Sequence, residues 1–296
     1  MESMEVANGL AQLRQFAARA SNEETDRVHL LRQCFQMTDE ECDILFAQGT
    51  FDVRADGQHL THQWKSLTDL DIEARVRALL IRLGSDYSAP AALKISIFPL
   101  TEPNWMVDDD FHGVFGYVTD THHMFLFVNP ESPTLSTGLE HTIVHEYHHF
   151  WRMASRPEED YTLLDALIYE GLAEHFVSHI LGPQHVGRWA QSLTTSEAHP
   201  VWLQFQSCLG TMDEVVRTEY LLGSLVAHPE QFEEYRPMLD AKHVVTLDSG
   251  KPFVPQWAGY SLGYHLVCDY AARHPDHSLQ DLTKTSATEF AWPYTP

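Results

Sequence analysis

The chain has 296 residues, 44% hydrophobic and 11% aromatic, which suffices for one sizeable core or two modest ones and argues against disorder. Its 19 basic and 42 acidic side chains leave a formal charge of −23 with no Lys/Arg run. Such a surface repels phosphate backbones and anionic lipid, so neither a nucleic acid nor a membrane is expected as partner.

No stretch approaches the roughly 18 uninterrupted apolar residues of a membrane span. The start, "MESMEVANGLAQLRQF", lacks a basic segment followed by an apolar one. Cys34, Cys42, Cys208 and Cys268 form no CxxC pair and no regular framework. A cytoplasmic protein with reduced thiols is the expectation.

Residues 1–84 read as helical. In "SNEETDRVHLLRQCF" Val28, Leu31 and Phe35 have the spacing of one helix face, and "TDEECDILFAQ" opens with a capping box from Thr38 to Glu41. "TDLDIEARVRALLIRLG" sets Ile72, Val76, Leu79, Leu80 and Leu83 on one face before Gly84, the expected helix stop. These helices carry no visible chemistry, and packing is their expected role.

Strand character follows. "LKISIFPL" alternates, with Leu93, Ile95 and Ile97 inward, and "GVFGYV" and "MFLFVNP" flank "TDTHH" as a hairpin with His122 and His123 solvated in its turn. From 139 onward helices are predicted over 139–153, 162–181 (closing at Gly182-Pro183), 184–194, 211–226 and 256–273, with 154–161 as a turn. Helices, a small sheet, then helices make a mainly helical α+β fold. The expected organisation is an N-terminal helical region over 1–84 and a second region over 85–296. The latter holds the sheet at 90–130, a helix pair at 139–181 and a helical part at 184–296.

The chemistry concentrates in "EHTIVHEYHHFWR", where His145-Glu146-Tyr147-His148-His149 is an HExxH. Histidines at i and i+4 lie about 40° apart around a helix and about 6 Å apart along it, so both rings can face one ion. Glu146, about 100° from His145, can reach a water at that ion without binding the ion itself. Hydrolysis needs this pairing of an electrophilic ion with a carboxylate base. With 19 histidines in the chain, about 0.1 such motifs arise by chance, so the motif needs support.

Support comes from "TLLDALIYEGLAEHF". A catalytic Zn2+ takes three protein ligands and keeps one position open. Glu170, 21 positions after His149 on a second helix, is the expected third ligand, and Glu174 faces the same side one turn later. His141, His145 and His149 together span about 12 Å of helix and cannot share one tetrahedral ion, which argues against His141 as a ligand. His148 lies on the flank opposite Glu146, where a hydrogen bond to substrate or a neighbouring helix is its expected part. His175 and His179 are rotated away from the Glu170/Glu174 face, and surface or packing is expected of them. Asp165 either braces its own helix or supports the ligand set.

An HExxH helix followed by a helix carrying a glutamate resembles the gluzincin metallopeptidases, and "YEGLAE" fits their second helix. The likeness narrows when "GVFGYV…MFLFVNP", "TIVHEYHHFWR", "TLLDALIYEGLAEHFV" and "AGYSLGYHLV" are taken together. They are similar to the predicted zinc-dependent protease family known as domain of unknown function 2268, over residues 90 to 290 or so. The resemblance implies a zincin-like catalytic domain that hydrolyses a peptide or protein substrate with Zn2+. His145, His149 and Glu170 would be the ligands, Glu146 the base, and Glu174 an acceptor fixing a ligand ring. By the same resemblance Tyr260, and after it Tyr264, would donate to the oxyanion, and an edge strand (113–118 or 124–130) would pair with the substrate backbone. Two alternatives stand beside this: a non-catalytic gluzincin-like binding or chaperone-like module with a structural metal, and a hydrolase of a non-peptide amide or ester.

Overall fold

The structure, a computed structural model, describes residues 9–20, 26–47, 49–87, 92–101, 104, 106–120, 122–156 and 161–292. Of the expected turn at 154–161, residues 157–160 lie outside the described residues. Two compact units divide the chain, 1–154 and 155–296.

In the first unit, polar caps start the helices. Helix α1 spans Gly9–Ala20, α2 Arg27–Phe35, α3 Asp39–Ala47, α4 Gly57–Asp69 and α5 Ile72–Asp86. Asp26 accepts from the backbone N–H of His29 before α2, and Asp56 from those of Gln58 and His59 before α4. The predicted capping box of α3 is present: Glu41 N–H donates to Thr38 Oγ1 at 3.1 Å and Thr38 N–H to Glu41 Oε2 at 2.9 Å. Two details differ from expectation. Val28 is exposed, and the buried face of α2 is Leu30, Leu31, Cys34 and Phe35. Helix α5 runs through Gly84 to Asp86, since Tyr87 N–H still reaches the Leu83 carbonyl.

Strands β1 (Lys94–Pro99), β2 (Val114–Val118) and β3 (His123–Val128) form a sheet in the order β1-β3-β2. β2 and β3 make the predicted antiparallel hairpin, while β1 runs parallel to β3. The expected inward/outward alternation of β1 fails because both of its faces are covered: Ser96 and Phe98 are as buried as Ile95 and Ile97. Phe98 stacks on Phe35 at 4.5 Å and on Phe127 at 5.8 Å and meets Phe51 at 5.0 Å, which joins the N-terminal helices to the sheet. The chain then enters α6 (Leu135–Ser155).

In the second unit α7 (Leu163–Leu181) opens on a capping box between Thr162 and Asp165 and ends at Gly182, with Pro183 next. The predicted helix over 184–194 is instead two 3-10 turns, Pro183–His185 and Trp189–Gln191. Helix α8 (Thr195–Phe205) was not predicted; Pro200 inside it masks a Thr194–Glu197 capping box. The predicted helix over 211–226 breaks at Gly223 (φ 100°) into α9 (Glu214–Leu222) and α10 (Ser224–Ala227). The short α11 (Phe232–Tyr235) and the two-stranded β4 (Val245–Thr246) and β5 (Pro252–Phe253) precede α12 (Ala258–Arg273), α13 (Leu279–Lys284) and α14 (Ala287–Phe290).

One core gathers Leu167, Ile168, Trp202, Phe205, Leu262, Leu266 and Tyr270 between α7, α8 and α12. Gly171 and Gly263 let α7 and α12 touch backbone to backbone: a Cβ on Gly171 would lie 2.8 Å from Tyr264 N and closer still to the Gly263 carbonyl. The molecule is thus mainly helical with a small sheet, as predicted. Among the described residues no helix is long and apolar enough to cross a membrane.

Candidate metal centre

Helix α6 is buried without interruption over 141–152, although six of those residues are His141, His145, Glu146, His148, His149 and Arg152. An ordinary surface helix buries one stripe and leaves such groups in water. Burying them costs free energy unless each finds a partner, so their density makes this turn the candidate site. His145 and His149 sit one turn apart with ring centroids 4.6 Å apart and planes at 89°. His141 stacks on His145 at 5.7 Å, and His148 lies edge-on to Trp151 at 6.1 Å.

Three contacts set the helix against the rest of the first unit. Tyr147 O–H donates to the Tyr87 carbonyl beyond α5 at 2.6 Å, and Thr142 Oγ1 donates to the Val114 carbonyl of β2 at 3.0 Å. The third is Gly116 of β2, where a Cβ would lie 2.7 Å from Thr142 Cγ2 and closer still to Glu146 Cγ. Only a residue without a side chain lets the strand approach the glutamate this closely. The sequence left two strands open as the sheet edge. β2 is an edge and β3 the centre.

His123 departs from expectation. It is the first residue of β3 rather than a solvated turn residue, and it is 1% exposed. Its Nδ1 lies 2.8 Å from Glu41 Oε1 and its Nε2 2.9 Å from Ser96 Oγ. Burial foremost, and the Lys94 charge after it, push the imidazole down to about 4 against the pull of Glu41. Burial works to raise the Glu41 carboxyl, yet the Thr38 N–H and His123 outweigh it and hold it below its usual value. The ring is therefore neutral, with Nδ1–H donating to Glu41 and Nε2 accepting from Ser96. His122, in the turn as predicted, packs edge-on to Phe150 at 5.4 Å.

In the second unit α7 carries Glu170, half-buried, and Glu174, fully buried. Glu174 Oε2 accepts from Gly187 N–H at 2.9 Å, and Oε1 from Trp189 Nε1–H at 2.9 Å. Asp165 serves the capping box of its own helix, its Oδ2 accepting from Thr162 N–H at 3.0 Å. His175 Nδ1 lies 3.9 Å from Cys268 Sγ and His179 is exposed, so these two pack and solvate as expected.

On α12, Tyr260 is half-buried with its ring edge-on to Trp257 at 5.6 Å. Tyr264 lies in the Gly171–Gly263 seam. Burial foremost, with Cys268 and the Glu174 charge adding to it and a Ser178 hydrogen bond opposing, pushes its phenol up to about 12. His265, the next residue, donates from Nε2 to the Leu193 carbonyl at 2.9 Å.

The described residues therefore include histidine and glutamate groups that could hold a metal ion. Sequence reasoning missed Gly116, Gly187 and Trp189. The last two fell inside a stretch read as helix, although Gly187 in "GPQHVGRW" was a sign of a broken one.

Residues 73–291 match a family model described as "Predicted Zn-dependent protease (DUF2268)". The chain belongs to this family. Two Bacillus subtilis (strain 168) proteins are similar to it. The first, named "Uncharacterized protein YjaZ", is 25% identical over 178 residues, covering 60% of this chain and 58% of the relative. The second, "Uncharacterized protein YjfC", is 24% identical over 174 residues, covering 55% and 48%. The chain thus spans about half the length of the curated relatives it matches. No solved structure matches it. The family match leaves 1–72 outside, so Glu41 lies beyond the match, and its partner His123, with the Ser96 that His123 also meets, lies within it.

Proposed function

We propose that this member of the family is a zinc-dependent peptidase in which His145, His149 and Glu170 hold the ion and Glu146 is the general base. The observation that carries this reading is the buried HExxH turn, its glutamate packed against an edge strand at Gly116. Two imidazoles and a carboxylate are the donor set of a catalytic zinc site, and buried imidazoles one turn apart on one helix suit it.

Two ligand sets could each take up an ion: His145/His149/Glu170 and His141/His145/Glu174. The first is favoured because its histidines bracket Glu146, and because the Glu174 carboxylate is already engaged by Gly187 and Trp189. Glu174 then accepts from the ring N–H of a ligand histidine and holds that ring in place.

When bound, zinc supplies a Lewis acid that polarises the scissile carbonyl and makes water acidic near neutral pH. Glu146 takes the proton of the attacking water and later passes it to the leaving amine. The outer edge of β2 offers backbone N–H and C=O groups to an extended peptide, which recognises main chain rather than side chains. Tyr260 O–H donates to the carbonyl oxygen as charge develops there. Tyr264 is the lesser candidate, because its phenol is tied to Ser178 and Cys268.

A buried base beside the ligand turn speaks for an enzyme over a structural metal site, which has no use for one and is commonly closed by four ligands. The test is metal analysis and hydrolysis of a peptide library by wild type and Glu146→Gln. Zinc in both proteins, with hydrolysis falling about 10²- to 10⁴-fold in the variant, is expected. Wild-type protein purified without chelator and lacking zinc sinks the reading, as does a variant with unchanged hydrolysis.

A further inference from the structure

The loop after α7 carries a feature that the proposed reaction does not by itself require. Glu174 is 0% exposed, and each of its carboxylate oxygens receives one N–H at 2.9 Å from the same short segment, the backbone of Gly187 and the indole of Trp189. The two donors are built as one piece. Gly187 lies flat against the Trp189 ring: a Cβ there would come 2.6 Å from indole Cδ2 and closer to two further ring atoms. Any side chain at 187 displaces the indole, so the glycine that offers its own N–H also makes room for the second donor.

The ring itself is 3% exposed. The Trp189–Gln191 turn holds its backbone, with Ser192 N–H reaching the Trp189 carbonyl at 3.4 Å. A carboxylate has about four acceptor positions. Two neutral N–H donors fix its plane and leave its charge, which is the condition for a group that must aim a further hydrogen bond at an imidazole.

We propose that Gly187 and Trp189 form a clamp that orients Glu174 towards the zinc ligands, making Trp189 a positioning residue for metal binding. The proposal rests on the zinc reading above and gives Gly187 and Trp189 a part in metal binding that the reading does not assign them. The clamp lies 13 and 15 positions after Glu174, so it is carried by the fold of the loop and not by the α7 helix face.

The test is zinc affinity of the full chain, measured by competition with a chromophoric chelator. Wild type, Trp189→Phe, Glu174→Gln and the double variant are compared, with circular dichroism of each metal-free protein as a check on folding. Phenylalanine keeps a ring in the pocket and removes only the N–H donor. Glu174→Gln is expected to weaken zinc binding about 10- to 100-fold, the usual loss when a group behind a metal ligand is removed, and Trp189→Phe, one step further back, several-fold within that loss. The double variant is expected to bind no more weakly than Glu174→Gln alone, because the indole acts only through that carboxylate.

Unchanged zinc affinity in Trp189→Phe overturns the clamp and leaves the zinc reading intact. A double variant that loses both factors in full overturns it too, since the indole then acts by another route. Wild type that binds no zinc overturns the zinc reading and the clamp with it. Should Trp189→Phe fail to fold, Gly187→Ala, which shifts the indole instead of removing it, carries the same expected loss and the same overturning result.

Discussion

Gly116 of the edge strand and Glu146 of the HExxH helix touch so closely that a methyl group on the glycine would run into the glutamate side chain. They are 30 positions apart in the chain, and the contact sets a β-edge beside the proposed base. Gly116→Val should therefore displace the Glu146 carboxylate while leaving His145 and His149 able to bind. We expect zinc content near that of wild type and a fall in kcat/KM of about 10²-fold or more, the lower range of a general base's contribution. A variant with normal kcat/KM would show that the carboxylate has room to move.

Tyr260 and Tyr264 should separate cleanly. Tyr260→Phe is expected to lower kcat about 10²-fold with little change in KM, as for removal of an oxyanion donor. Tyr264→Phe, in the α7–α12 seam, should leave kcat within a few-fold and lower the melting temperature instead, because its phenol is engaged by Ser178 and Cys268. Steady-state kinetics and thermal unfolding of both variants decide the assignment, and the opposite pattern exchanges the two roles.

Acid should loosen the first unit through His123. Its folded-state value of about 4 lies below the ordinary 6.5, so the folded protein binds fewer protons than the unfolded chain between those values. The contribution is complete above pH 6.5 and is lost as pH falls towards 4, up to about 3 kcal/mol at 1.36 kcal/mol per pH unit. Glu41, held below its usual value, acts in the same sense further into the acid range. Urea unfolding from pH 7 to 4 should show a steeper loss for wild type than for His123→Gln. Equal slopes would remove His123 as the cause.

The helix seam of the second unit should tolerate no added carbon. Gly263→Ala places a methyl against the Leu167 carbonyl, which is backbone and has no rotamer to adopt. A loss of about 3 kcal/mol or more is expected, at the upper end of overpacking penalties. Chemical denaturation of Gly263→Ala beside Gly210→Ala, where a Cβ meets nothing within 4 Å, isolates the packing effect. Equal losses in the two would deny the close approach.

Much of this protein followed from spacing along the chain. Periods of 3.6 and the capping pairs Thr38/Glu41 and Thr162/Asp165 were local, and local hydrogen bonds made those helix starts true. The His145/Glu146/His149 turn needed nothing beyond helix geometry, which also places His141 one turn earlier, stacked on His145. Where tertiary packing competed, the local reading gave way. β1 lost its alternation because both faces are covered, His123 left solvent for Glu41, 82 positions away, and the stretch over 184–194 stayed out of an α-helix, its Gly187 N–H and Trp189 indole committed to Glu174. The edge strand, Gly116 and the Gly187–Trp189 clamp are contacts between distant segments. A side chain's nearest neighbours across the fold leave no period in the sequence, so only the tertiary structure could bring them to light.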